Sequence, residues 1–252
     1  MLMPGQFERT AALYGRESVE KLKIRRVAVF GIGGVGGHCA EALCRTGVGA
    51  IDMYDGDIID ITNINRQIIA THKTVGLGKA EVMRERLLEI SPDALIGAYK
   101  LFYLPETADA VDLSVYDYIV DAVDTISAKL ELIRRASGLG IPVISSMGAA
   151  SKLDPTAFEI ADIYSTSVCP MARAMRSELR KMGIASLKVV YSKERPVEPA
   201  QGDGSPVLYS QHKGTVPNAR ARARPVLGSN AIVPPVAGLI MAGEVIKDLL
   251  GS

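Results

Sequence analysis

The chain has 252 residues, 48% of them hydrophobic and 23% charged, which excludes a disordered, collagen-like or coiled-coil protein. Lys and Arg number 29 against 28 Asp and Glu, a net charge of +1, so any polyanionic partner must be held by a local basic patch. The three cysteines, Cys39, Cys44 and Cys169, form no Cys-x-x-Cys pair, which excludes a disulfide framework and a four-thiolate zinc site and fits a reducing cytoplasm.

The first residues mix Glu8, Arg9, Arg16, Glu17, Glu20 and Lys21 with apolar ones and hold no apolar signal-peptide core. Short apolar runs then alternate with helical periodicity, the pattern of parallel strands joined by crossover helices. A buried strand is predicted over 26–30, followed by a helix over 34–46 with Ala40, Leu43 and Cys44 on one face and Gly47 and Gly49 at its end. A strand over 50–54 closes on Asp55, and a helix over 77–90 stops at Ser91-Pro92. Strands over 94–99 and 116–120 follow, the latter running into Asp121 and Asp124, then a helix over 127–139 and a strand over 142–145. These segments predict an α/β, doubly wound, Rossmann-like and mostly parallel sheet. Strands over 158–163 and 187–191, flanking a helix over 171–182, predict an antiparallel extension of it. Residues 192–229, rich in Pro, Gly and charge, predict a long loop, either a functional lid or disordered. The helix over 236–250 packs back on the core. The apolar stretch around it is no membrane span, because Pro234 and Pro235 break it and Glu244, Lys247 and Asp248 charge it. One domain over residues 1–252 is expected.

Gly31-Ile-Gly33-Gly34-Val-Gly36 stands between a strand and a helix, where absent side chains let backbone N–H groups and the positive helix end approach phosphates. Asp55, about 20 residues on, suits a ribose hydroxyl. Cleaving a triphosphate also needs cations near developing negative charge. Arg66, in the polar run Asp57-Ile-Ile-Asp60-Ile-Thr62-Asn63-Ile-Asn65-Arg66-Gln67, and Lys79, at the next helix start, are placed to clamp phosphates. Asp124, past the fourth strand, is a candidate ligand for Mg²⁺, which prefers few carboxylates plus phosphate and water oxygens.

The glycine run, Asp55, Thr62-Asn63-x-Asn65-Arg66-Gln67, Lys79 and Asp121-x-x-Asp124, in this order, resemble the adenylating superfamily of ubiquitin-activating enzymes and bacterial sulfur-carrier activators. Phe7-x-Arg9-Thr10, Ser145-Ser-Met-Gly-Ala149, Lys152-Leu-Asp-Pro155 and Ile160-Ala-Asp-Ile163 bring it nearest to the tRNA threonylcarbamoyladenosine dehydratases within that superfamily. The resemblance implies that Gly31, Gly33, Gly34 and Gly36 line the phosphates of ATP and that Asp55 meets the ribose. It implies that Asn63, Asn65, Arg66 and Lys79 serve the phosphates and the attacked centre, and that Asp124 holds Mg²⁺. It further implies that Arg9 reaches the ATP of a neighbouring subunit in a homodimer. A monovalent cation near the adenylate and a sulfur-relay partner protein are left open by it.

The implied reaction answers a poor leaving group. A carboxylate cannot expel oxide, so the threonine carboxylate is first adenylated with release of pyrophosphate, and the adjacent urea then closes a ring and releases AMP, the nucleophile being already in place. The tRNA needs a basic surface, for which Arg173, Arg176, Arg180 and Lys181 on one helix and His212, Lys213, Arg220, Arg222 and Arg224 in the loop are candidates. Cys169 is expected to be a small residue at a helix boundary. The alternatives are an adenylyltransferase acting on the C-terminal glycine of a sulfur carrier, a nicotinamide oxidoreductase and a nucleotide-sensing module. The lack of Cys-x-x-Cys pairs weighs against the first, and the cations Arg66 and Lys79 against the second.

Overall fold

The computed structural model describes residues 5–198 and 227–251. Strand β1 (Arg26–Phe30) shows why the sheet is covered on both faces. Its side chains alternate, Val27 and Val29 entering one apolar cluster and Ala28 and Phe30 another, and all four are fully buried. β2 (Ala50–Tyr54), β3 (Leu95–Tyr99), β4 (Tyr118–Asp121), β5 (Val143–Ser146), β6 (Phe158–Asp162) and β7 (Lys188–Ser192) complete a seven-stranded sheet of order β3-β2-β1-β4-β5-β7-β6. All neighbours are parallel except β6 and β7, so the antiparallel extension occurs as expected, with β7 inserted between β5 and β6.

Helices α3 (Gly36–Thr46), α4 (Lys79–Ile90) and α7 (Val233–Leu250) cover the Val27 face, joined by α2 (Arg16–Lys23) through Leu22. α5 (Ile126–Leu139) and α6 (Pro170–Lys181) cover the other. α7 lies close on the start of α3: a Cβ on Gly238 would stand 2.2 Å from the Val35 carbonyl oxygen, so only glycine permits this approach.

Boundaries depart from the sequence reading by one to three residues, α4 and β4 each starting two residues late, at Lys79 and Tyr118. α3 starts at Gly36 and not at residue 34, because Gly31 takes a left-handed φ of 87° and the chain turns before it coils. α7 starts at Val233, with Pro234 and Pro235 in its first turn, where the missing N–H costs no hydrogen bond. The start of the chain, read without structure, forms α1 (Glu8–Tyr14) and α2, whose Val19 and Leu22 share one buried face. Of the predicted long loop, Ser192 closes β7, and residues 199–226 lie outside the described residues. Among the described residues no helix is long and apolar enough to cross a membrane.

Candidate active site

The register of β1 with its two neighbours builds the site. Phe30 lies beside Tyr54 of β2 and Asp121 of β4, so Gly31, Asp55 and Ala122 leave the sheet side by side. Chain order reverses between β1 and β4, the place where open α/β sheets bind ligands. Gly31 N–H donates to the Tyr54 carbonyl at 2.9 Å. A Cβ on Gly31 would lie 2.7 Å from the Ala122 carbonyl oxygen, and one on Gly36 only 1.8 Å from that of Gly31, so both glycines make the turn itself. Gly33 differs: beside it only the Gln67 amide comes as near as 4.0 Å. That amide is 6% exposed, and its Oε1 has no partner among the described residues. An open cradle beside an unsatisfied buried acceptor suits a polar ligand.

Asp55 accepts from Ile32 N–H at 2.7 Å and from Asp57 N–H at 2.8 Å, tying the end of β2 to the glycine turn. Burial pushes its carboxyl above the ordinary value, opposed by the Lys79 ammonium and then by these two donors. Lys79, the first residue of α4, is 7% exposed and its Nζ donates to Asp57 at 2.9 Å. Asp57 is thus the partner of the predicted cation, a pairing that sequence reading left unassigned.

The polar run folds into a short 3₁₀ turn, Ile61–Asn63. Asp60 accepts from Thr62 N–H at 2.8 Å, and Asn63 Oδ1 accepts from Asp60 N–H at 3.1 Å. The turn fixes Asn63 as a buried residue and directs Arg66 across Gly34: a Cβ there would sit 3.3 Å from Arg66 Cγ. Arg66 Nη1 donates to the Thr62 carbonyl at 3.0 Å and to Asn65 Oδ1 at 2.8 Å, while Asn65 Nδ2 donates to the Ser229 carbonyl at 3.0 Å. In this chain alone Asn65 contacts a neighbouring side chain and a returning loop.

Past β4, Asp124 is exposed, and its Oδ1 accepts from Thr125 Oγ1 at 3.1 Å. Asp121 has the opposite environment. It is 0% exposed, as is Lys129 of α5, and Lys129 Nζ donates to Asp121 Oδ2 at 3.1 Å, Ser145 Oγ at 3.2 Å and the Ser146 carbonyl at 2.8 Å. Sequence reading missed this cluster. The signal was there: Lys129 occupies the same helical stripe as buried Leu132, Ile133 and Ala136, a position where an unpaired charge is not tolerated.

Arg9 is a predicted site residue that this chain does not bring to the others. It is exposed on α1, whose Phe7 packs beside Gly47 at the far end of α3, roughly 16 Å from the glycine turn at 1.5 Å per helical residue. The basic face expected on α6 is largely committed within the chain. Arg176 donates to both the carbonyl and the hydroxyl of Thr166, Arg180 lies 5.1 Å over the Tyr164 ring, and Lys181 pairs with Glu178 at 2.7 Å. Arg173 is exposed. His212, Lys213, Arg220, Arg222 and Arg224 lie outside the described residues. Cys169 is buried at the N-cap of α6, the helix boundary expected of it.

A doubly wound sheet with a glycine turn at its switch point, an acidic residue closing the next strand and cations above it defines a nucleotide-binding protein of the adenylating kind, and the chain belongs to the ThiF family, matched over residues 7–252. Over 249 residues it is 44% identical to the tRNA threonylcarbamoyladenosine dehydratase of Bacillus subtilis (strain 168), covering 97% of this chain and 94% of that protein. The structure of the Escherichia coli tRNA N6-threonylcarbamoyladenosine dehydratase in complex with ATP superposes with a TM-score of 0.82 at 30% identity, covering 98% of this chain and 94% of that one. An adenylyltransferase and sulfurtransferase of Candida glabrata is 33% identical over 132 residues, which is 52% of this chain and 30% of that protein.

Proposed function

We infer that the chain is an ATP-dependent tRNA threonylcarbamoyladenosine dehydratase acting as one adenylating domain. The observation that carries the reading is the likeness to a dehydratase over 97% of the chain, whereas the likeness to the Candida glabrata sulfurtransferase covers 52%. The glycine turn offers backbone N–H groups and the start of α3 to the phosphates, with Gly33 leaving room for close approach. Asp55 receives the ribose hydroxyls. Arg66 and Lys79 leave their present partners, Asn65 and Asp57, to meet phosphate oxygens, and Asn63 holds the turn that aims Arg66.

The threonine carboxylate attacks the α-phosphorus, pyrophosphate departs, and a urea oxygen or nitrogen closes on the carbonyl carbon. AMP leaves with one former carboxylate oxygen, and the urea proton passes to solvent, so one water is lost from the nucleoside overall. Arg66 and Lys79 stabilise charge as it develops on phosphorus, the largest electrostatic contribution in such sites. Asp124 fits a magnesium site: it is exposed, it has one hydrogen-bonded oxygen, and among the described residues no cluster of three or more His, Cys, Asp or Glu could hold a metal, as suits an ion held largely by phosphate and water. Bound Mg²⁺ would supply Lewis-acid charge at the phosphates. Arg9 acts on the partner subunit's site in a homodimer, which its distance from its own glycine turn supports.

The test is mass spectrometry of nucleosides from threonylcarbamoylated tRNA incubated with the protein, with and without ATP and Mg²⁺. ATP-dependent loss of one water from the modified adenosine is expected. An intact nucleoside in the presence of bound ATP would overturn the acceptor, and pyrophosphate exchange dependent on a sulfur carrier would replace it.

A further inference from the structure

Lys129 and Asp121 form an ion pair with both side chains 0% exposed, and no step of the reaction uses either. Stability alone is a poor reason for such a pair, because desolvating two charges offsets most of their attraction, and apolar replacements of similar volume are often neutral or better. What the pair does is geometric. Lys129 spends its three ammonium protons on Asp121, Ser145 and the Ser146 carbonyl, and Ser145 Oγ donates to the same Asp121 oxygen at 2.6 Å. The other Asp121 oxygen accepts from Val123 N–H at 3.3 Å, one residue before Asp124. The same turn is held to β1 by Ala122 N–H donating to the Phe30 carbonyl at 2.8 Å, and its Ala122 carbonyl presses on Gly31.

We propose that Lys129, acting through Asp121, is a positioning residue that fixes the turn carrying Asp124 against the glycine turn. The inference rests on the assignment of Asp124 made above. It requires the ammonium and the carboxylate as a unit, since either charge alone would be buried without a partner.

The test compares the paired variant Lys129→Met with Asp121→Asn, which removes both charges at nearly constant volume, with Asp124→Ala and with the two combined. The paired variant is expected to fold, by circular dichroism and thermal melting, and to bind ATP in EDTA as the wild type does. Its kcat for pyrophosphate release should fall about tenfold or more, as misplacement of a group by a fraction of an ångström does, with KM for ATP rising only as far as the lost Mg²⁺ enhancement. Calorimetry should show that Mg²⁺ no longer tightens its binding of ATP. In the Asp124→Ala background the paired change should cost nothing further, the signature of residues acting through one another. If Asp124→Ala is impaired and the folded paired variant keeps wild-type kcat and Mg²⁺ enhancement, the positioning role is overturned while Asp124 stands. If Asp124→Ala itself behaves as wild type, the assignment of Asp124 falls and this inference with it. Should the paired variant not fold, Ser145→Ala decides: a kcat loss of about threefold or more supports the role, and wild-type kinetics overturn it.

Discussion

Lys79 bears on the charge state of Asp55. Asp55 is an acid whose pKa burial raises, and Lys79 is the strongest of the groups that pull it back down. In the proposed ribose contact the ionised carboxylate is the form that accepts the hydroxyls, so ATP binding should weaken as pH falls through the Asp55 pKa. Removing the ammonium in Lys79→Met raises that pKa further, and the acid limb of ATP affinity should move to higher pH. Titrating ATP by calorimetry across pH checks this, and an unmoved limb would separate the two residues. Asp55→Ala should weaken ATP by roughly 10- to 100-fold, the worth of hydrogen bonds to a charged group. Asp55 was legible in the sequence because its distance from the glycine run is fixed by one helix and one strand. The partners of Asp57 and Lys129 were not, because they lie on other elements: Lys79 is 22 residues from Asp57, and Ser145 is 16 from Lys129, whose burial alone showed in its helical stripe.

Two glycines of the same short turn carry different duties at the level of the element. Gly36 opens α3 with no room for a methyl group, its Cβ position being 1.8 Å from the Gly31 carbonyl oxygen. Gly36→Ala must therefore displace backbone, at a cost of about 1–3 kcal/mol or more, and should melt several degrees below the wild type. Gly33 meets nothing nearer than 4.0 Å, so Gly33→Ala should melt with the wild type yet bind ATP more weakly, because the methyl group would occupy the space proposed for phosphate. Differential scanning fluorimetry with and without ATP distinguishes the two. Most strands and helices were legible within one to three residues, since apolar periodicity depends on local sequence. α1 and α2 escaped because their exposed faces are dense with charge, with pairs such as Arg16–Glu8 and Lys21–Glu17, and only Val19 and Leu22 are buried. The start of α7 escaped because two prolines read as a break, although the first turn of a helix tolerates them.

In the whole molecule, the placement of Arg9 at the end of α3 opposite the glycine turn leads to a complementation experiment. In a closed dimer, a protomer carrying Arg9→Ala still has its own Asp124, and can borrow Arg9 from an Asp124→Ala partner. Each mutant alone should be inactive in pyrophosphate release. An equal, re-equilibrated mixture should recover about a quarter of wild-type activity, since half of its dimers are mixed and each mixed dimer has one complete site. No recovery in proven mixed dimers would place the function of Arg9 within its own subunit or nowhere.

The sequence by itself determined the elements, the glycine turn and the residues that follow the strand ends, because each is governed by neighbours within about one helical turn or one strand. It also carried the family resemblance, which is a property of ordered motifs. The tertiary structure decided which of those residues meet. It set β1 between β2 and β4, so that Asp55 and Ala122 flank Gly31, and inserted β7 between β5 and β6. It tied Asn65 to Ser229 across 164 residues and buried Lys129 against Asp121 and Ser145. It also committed Arg176 and Arg180 to Thr166 and Tyr164, where a helical wheel shows only a basic face. The physical reason is common to all of these. A charge or an amide has no fixed role until packing determines whether water or a distant side chain satisfies it, and that is settled only when the sheet is assembled.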